Sequence, residues 1–107
     1  MLIIGEKLNS AIPSVREAIK SRDLGFVQDL AKRQVEGGAN YIDVNTAQGN
    51  DELEDMEWIV NAVQNVVDVP LCIDTTEAEV AEMGLKTCNK RAMLNSISME
   101  RERLAGM

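Results

Sequence analysis

The stretch Leu71-Cys72-Ile73-Asp74-Thr75-Thr76, LCIDTT, decides how the chain reads: an apolar run ends abruptly in a carboxylate followed by two hydroxyls. Coming after Val69-Pro70, a run this short and this apolar predicts a strand buried on both faces, as in parallel sheets. The residues after it, Glu77 to Leu85, predict a helix, with Thr75 and Thr76 as N-cap candidates. Asp74 therefore falls where a strand hands over to a helix, the edge at which parallel α/β folds bind ligands.

Working outward, the same unit recurs. Upstream, Ala39 to Val44 predicts a strand closing in Asp43, Asn45 and Thr46, and Met1 to Gly5 predicts one followed by the polar segment Glu6-Lys7-Leu8-Asn9. Downstream, Ala92 to Leu94 predicts a fourth, closing in Asn95 and Ser96, with a polar helical start over Ser98 to Leu104. Between them lie helices. A Ser14-x-x-Glu17 capping box predicts a short one to about Lys20, Asp23 is placed to cap another over Phe26 to Glu36, and Gly37-Gly38 stops it. Asp51 and Glu54 form a second box-like pair ahead of the amphipathic run Leu53, Met56, Ile59, Val60, Val63 and Val67. Strand and helix alternating four times call for parallel strands joined by right-handed crossovers, an α/β fold made of parallel βα repeats.

Composition sets limits on function. Eighteen acidic against eleven basic side chains give a formal charge of −7, which argues against nucleic acid or an anionic membrane as partner. No segment approaches the roughly 18 apolar residues of a membrane span and the start lacks a signal-peptide pattern, so a cytoplasmic location is expected. Cys72 and Cys88 are sixteen positions apart and outside any CxxC pair, which predicts reduced thiols. With no histidine in the chain, no protein-bound metal is expected and His-based triads are excluded.

The four predicted strands end in Glu6 and Asn9, in Asp43 and Asn45, in Asp74, and in Asn95 with Ser96. If parallel, they bring all these groups to one sheet edge. A carboxylate only accepts hydrogen bonds and an amide both donates and accepts, so the set suits an aminopyrimidinone edge. Each residue alone has an alternative reading as a turn former or N-cap; coincidence over four strands is harder to explain that way. Trp58, Met56, Met83 and Met93 read as packing residues, as does Cys72. The acidic run Asp51, Glu52, Glu54, Asp55, Glu57 reads as a solvated helix face, although two of its carboxylates could hold a divalent ion weakly.

In this order, IIGEKLN, EGGANYIDVN, LCIDTT and RAMLNS resemble the pterin-binding family of TIM barrels, in particular the methyltetrahydrofolate:corrinoid methyltransferases. That group includes the folate domain of cobalamin-dependent methionine synthase, with dihydropteroate synthase a more distant relative. The resemblance implies that Asp74 and Asn95 hydrogen-bond a pterin ring, with Glu6 and Asn9 beside them and Asp43 and Asn45 on the floor of the pocket. It implies methyltetrahydrofolate as substrate, a corrinoid (cobalamin) carried by a partner protein, and methyl transfer between the two. An eight-stranded barrel needs about 250 residues. The chain is therefore expected to be the N-terminal half of a (β/α)8 barrel, a partial domain over residues 1–107, with the group that activates N5 lying elsewhere. Dihydropteroate synthase-like chemistry and a non-catalytic half-barrel that homodimerises are the alternatives.

Overall fold

The computed structural model describes residues 3–48, 51–88 and 92–95, the last four as backbone. Ser96 and the expected helical start over Ser98 to Leu104 lie outside the described residues. The elements run β1 (Ile4–Asn9), α1 (Pro13–Ser21), α2 (Leu24–Glu36), β2 (Tyr41–Asn45), α3 (Glu52–Gln64), β3 (Leu71–Asp74), α4 (Ala78–Thr87) and β4 (Ala92–Asn95). All strand pairs are parallel and the sheet order is β1-β2-β3-β4. Sequential order with right-handed crossovers puts every helix on the same side, so the sheet curls as in a (βα) barrel rather than opening into a doubly wound sheet.

Alternation along the strands then separates two faces. Leu8, Ile42, Val44, Leu71 and Ile73 point towards the helices and form one core with Val15 and Ile19 of α1, Val27 and Ala31 of α2, Met56, Ile59, Val60 and Val63 of α3, and Val80 of α4. Each fully buried Ile, Leu or Val in it is worth about 1.5–3 kcal/mol relative to exposure. Helices approach the sheet closely where glycine permits. A Cβ on Gly84 of α4 would lie 2.7 Å from Ile73 Cγ2, and one on Gly5 of β1 would lie 2.5 Å from Gln34 Oε1 of α2. The remaining strand positions, Asp43 and Asn45 on β2 and Cys72 and Asp74 on β3, take the opposite, helix-free face.

Several local expectations change. β1 extends to Asn9 instead of ending at Gly5, because its register against β2 slips by one residue between Gly5 and Leu8. Gly5 pairs with Ile42 and Leu8 with Val44, so one extra residue is accommodated on β1, a bulge that breaks the alternation an apolar-run reading depends on. The Ser14–Glu17 capping box does not form. Pro13 occupies the first helical position with Ile12 as N-cap, and its fixed φ starts the helix a residue before Ser14. Asp23 caps α2 as expected, accepting from Phe26 N at 3.1 Å, but the helix starts at Leu24. Asp51 caps α3 by accepting from Glu54 N at 3.1 Å, while Asp51 N–H donates to Asp55 Oδ2 at 3.4 Å and not to the Glu54 side chain. That helix ends at Gln64, short of Val67. Neither threonine occupies the N-cap of α4, which is Glu77 without a side-chain bond.

Candidate functional site

Register places the candidate residues. Asn9 pairs with Asn45 and Asp74 with Asn95, while Val44 pairs with Ile73, so Asn45 lies beside Asp74. Asn9, Asn45, Asp74 and Asn95 thus form one row across all four strands at the carboxyl edge. One layer lower, Cys72 pairs with both Asp43 and Met93. Glu6 is exposed within β1, in the irregular stretch rather than at the strand end, so the structure brings it no nearer the row than the layer of Asp43. Of Asn95, position alone is described.

The row's connections differ from strand to strand. Asn9 Oδ1 accepts from Ala11 N at 2.8 Å, which makes it the hinge of a tight turn into α1. Asn45 reaches across strands. Its Nδ2 donates to Asp74 Oδ2 at 3.3 Å, and its Oδ1 accepts from Ala47 N at 2.9 Å and from Ser10 Oγ at 3.3 Å. Asn45 and Asp74 are half-buried, so both edges of the pair meet solvent or a ligand. Below them Asp43 is 4% exposed and Cys72 1%. Burial, with the Asp43 and then the Asp74 carboxylates nearby, pushes the Cys72 thiol up to about 11, so at neutral pH it is a thiol and not a nucleophile. Packing remains its role.

A second group of residues, of which the sequence names Thr46, Thr75 and Ser96 without their shared role and leaves out Ser10, surrounds the row. In all four strand ends the amide or acid is followed by a hydroxyl: Asn9-Ser10, Asn45-Thr46, Asp74-Thr75 and Asn95-Ser96. Where described, these hydroxyls are buried, at 0% for Ser10 and Thr46 and 2% for Thr75. Thr46 Oγ1 donates to the carbonyl of Glu52 at 3.0 Å, and Thr75 Oγ1 donates to Glu52 Oε2 at 2.7 Å while accepting from Glu77 N at 3.1 Å. The ends of β2 and β3 are thereby tied to the first turn of α3. The repeated dipeptide was the available signal. Each hydroxyl read singly passes for a cap, and only the repetition at equivalent strand ends marks a shared anchoring job.

The acidic run therefore does not behave as one solvated face. Glu52 serves Thr75, and Asp55 is buried and paired with Arg22 at 2.9 Å, which leaves Asp51, Glu54 and Glu57 exposed. Two of the carboxylates nominated for a weak cation site are thus engaged in holding elements together. Met56 is fully buried and Trp58 packs partly buried against the core, as expected of packing residues. The ring of Trp58 has the Arg22 guanidinium 5.1 Å from its centroid. Among the described residues, no helix is long and apolar enough to cross a membrane.

With a parallel βα sheet and its carboxyl-edge row described, comparison with known families gives the chain its class. The chain belongs to the pterin binding enzyme family, a TIM-barrel family, which it matches over residues 5–106. Among individual proteins it is similar to the methylcorrinoid:tetrahydrofolate methyltransferase of Eubacterium limosum, 45% identical over 101 residues, an alignment covering 94% of this chain and 37% of that protein. It is also similar to the methionine synthases of Mycobacterium leprae, 32% identical over 102 residues, and Mycobacterium tuberculosis, 30% identical over 102 residues. Those two alignments cover 94% of this chain and 8% and 9% of the respective proteins. The chain thus spans about a third of the length of the first relative and under a tenth of the other two.

Proposed function

We propose that the chain supplies the pterin-holding strands of an enzyme that transfers a methyl group between N5-methyltetrahydrofolate and a corrinoid carried by a partner protein. The observation that carries this reading is the Asn45–Asp74 pair in the carboxyl-edge row of a pterin binding enzyme. Asp74, an acceptor-only carboxylate, takes the N–H donors of the aminopyrimidinone edge, and Asn95, in register with it, supplies an amide that both donates and accepts. Asn9 contributes the free end of its amide at the β1 end of the row, with Glu6 and Asp43 a layer below.

In the transfer the N5–methyl bond breaks as the methyl carbon takes the electron pair of a Co(I) corrinoid, or the same step runs in reverse. A neutral tertiary amine leaves poorly, so N5 takes a proton or hydrogen bond as the bond breaks. What this chain's residues do is hold the ring so that N5 faces the partner; no residue of the chain is assigned to N5 itself. Calorimetric titration of the intact protein with methyltetrahydrofolate, wild type against Asp74→Ala, tests the reading. Loss of about a hundredfold in affinity is expected for removing a charged hydrogen-bond acceptor, and an unchanged affinity would sink the site assignment.

A further inference from the structure

Ser10 has no exposed surface, yet both its hydroxyl and its backbone N–H are hydrogen-bonded at the carboxyl edge. Its backbone N–H donates to the Asn45 carbonyl at 2.9 Å, extending the β1–β2 pairing one residue past the strand. Its hydroxyl accepts from Gln48 N at 2.9 Å, which commits the hydroxyl proton to its other neighbour, Asn45 Oδ1 at 3.3 Å. A second donor, Ala47 N, meets that same oxygen at 2.9 Å. Two N–H or O–H donors converging on one end of an amide settle which end is oxygen. The NH2 end must then face Asp74, and it donates to Asp74 Oδ2 at 3.3 Å.

We propose that Ser10 and Asn45 are a positioning pair, which fixes the direction in which the Asp74 carboxylate presents its acceptor oxygens to the pterin. The inference rests on the reading of Asp74 as a pterin ligand given above. With the Ser10 hydroxyl gone, the amide oxygen keeps one donor, Ala47 N–H, and the Asn45 side chain is less firmly held. Its NH2 then fixes the Asp74 carboxylate less tightly, and the acceptor oxygens spread over a wider range of directions. Because Ser10 acts through Asn45 and Asp74, its contribution to binding exists only while Asp74 does. A merely structural serine, whose loss loosens the β1–α1 turn, would weaken binding regardless of what occupies position 74.

A double-mutant cycle separates the two. Methyltetrahydrofolate affinity is measured on the intact protein as wild type, Ser10→Ala, Asp74→Ala and the double variant, with thermal melts confirming that each is folded. The expected result is a loss of about five- to tenfold for Ser10→Ala in the wild-type background and less than about twofold in the Asp74→Ala background, the range of coupling seen between residues in one hydrogen-bond network. Equal losses in both backgrounds, or none in either while Asp74→Ala weakens binding, would overturn the positioning role and leave Asp74 as a ligand. No effect of Asp74→Ala would instead remove the site reading beneath it. Should Ser10→Ala fail to fold, Ser10→Cys keeps a group of similar size with a weaker donor, and the same pattern at smaller amplitude is expected. Rotation of the Asn45 side-chain amide, followed by NMR in the ligand-free protein, is expected to quicken in the Ser10 variant; an unchanged rate counts against the pair.

Discussion

Asp55 and Asp74 stand at opposite ends of the same problem. Asp55 lies under the helices, 5% exposed at the side chain, its charge met by Arg22 at 2.9 Å with the indole of Trp58 beside that guanidinium. It also accepts from Asp51 N at 3.4 Å, so its charge and its lone pairs are both used within the fold. Asp74 lies half-buried at a strand end and meets one neutral amide at 3.3 Å; among the described residues no cation pairs with it. A carboxylate closed off by a partner serves stability. One held in direction but not neutralised is left able to accept from something else, and that difference is the basis for proposing Asp74, and not Asp55, as a ligand.

The sharpest way to break the comparison is to delete each carboxylate and read stability and binding together. Asp55→Ala strands the Arg22 guanidinium, whose Nη1 is already buried without a partner among the described residues. Removing one member of a fully buried pair costs about 3–5 kcal/mol, and with the Arg22 side chain 35% exposed to screening solvent we expect less, about 2–3 kcal/mol, in urea unfolding. Pterin affinity of the molecules that remain folded should not move. Asp74→Ala should do the reverse: about a hundredfold loss of methyltetrahydrofolate affinity with stability within about 1 kcal/mol of wild type. If Asp55→Ala cost affinity, or Asp74→Ala cost mainly stability, the division between the two would fail.

A smaller effect tests the β1 end of the row, where Asn9 closes a turn and is also a proposed ligand. Asn9→Asp retains an oxygen for Ala11 N–H, so stability should change by less than about 0.5 kcal/mol, whereas the amide donor is gone. If Asn9 contacts the pterin through that donor, affinity falls about three- to tenfold. If its work is the turn alone, titration shows no change, and the binding row shortens to β2 through β4.

Why Asp74 was legible in the chain and Asp55 was not follows from what each depends on. Asp74 announces itself locally: the apolar run Leu71-Cys72-Ile73, then a carboxylate, then the start of a helix, and the parallel repeat that fixes its place follows from alternation of strands and helices. Asp55 depends on Arg22, thirty-three positions away, whose backbone takes the left-handed conformation at φ 56° to turn the chain between α1 and α2. No short-range pattern carries that. The same holds for β1, whose end was misplaced because a bulge puts Glu6 and Lys7 inside a strand, and for Ser10, whose value lies in Asn45 thirty-five positions on. Periodicity reads what is repeated along the chain, whereas long-range polar pairs are set only when the sheet closes.

The finest comparison uses Cys72 as a gauge of the charge at Asp74. Burial is the main reason its thiol sits near 11, with Asp43 next and Asp74 a smaller contributor. The raised value means that the folded chain holds this proton more tightly than the unfolded chain does. Stability from this source is therefore complete below the ordinary thiol value of 9.0 and is lost as pH rises from there towards about 11. The wild type should lose more stability across that window than Cys72→Ala, which has no thiol to ionise on unfolding. In a Cys88→Ser background, thiolate absorbance then reports Cys72 alone. Asp74→Asn should lower its midpoint by a few tenths of a pH unit, whereas Asp55→Asn, acting at a carboxylate already neutralised by Arg22, should leave it where it was. A midpoint indifferent to Asp74 would mean that this carboxylate is screened in the folded protein, and with that the contrast between an open and a closed acid would lose its electrostatic basis.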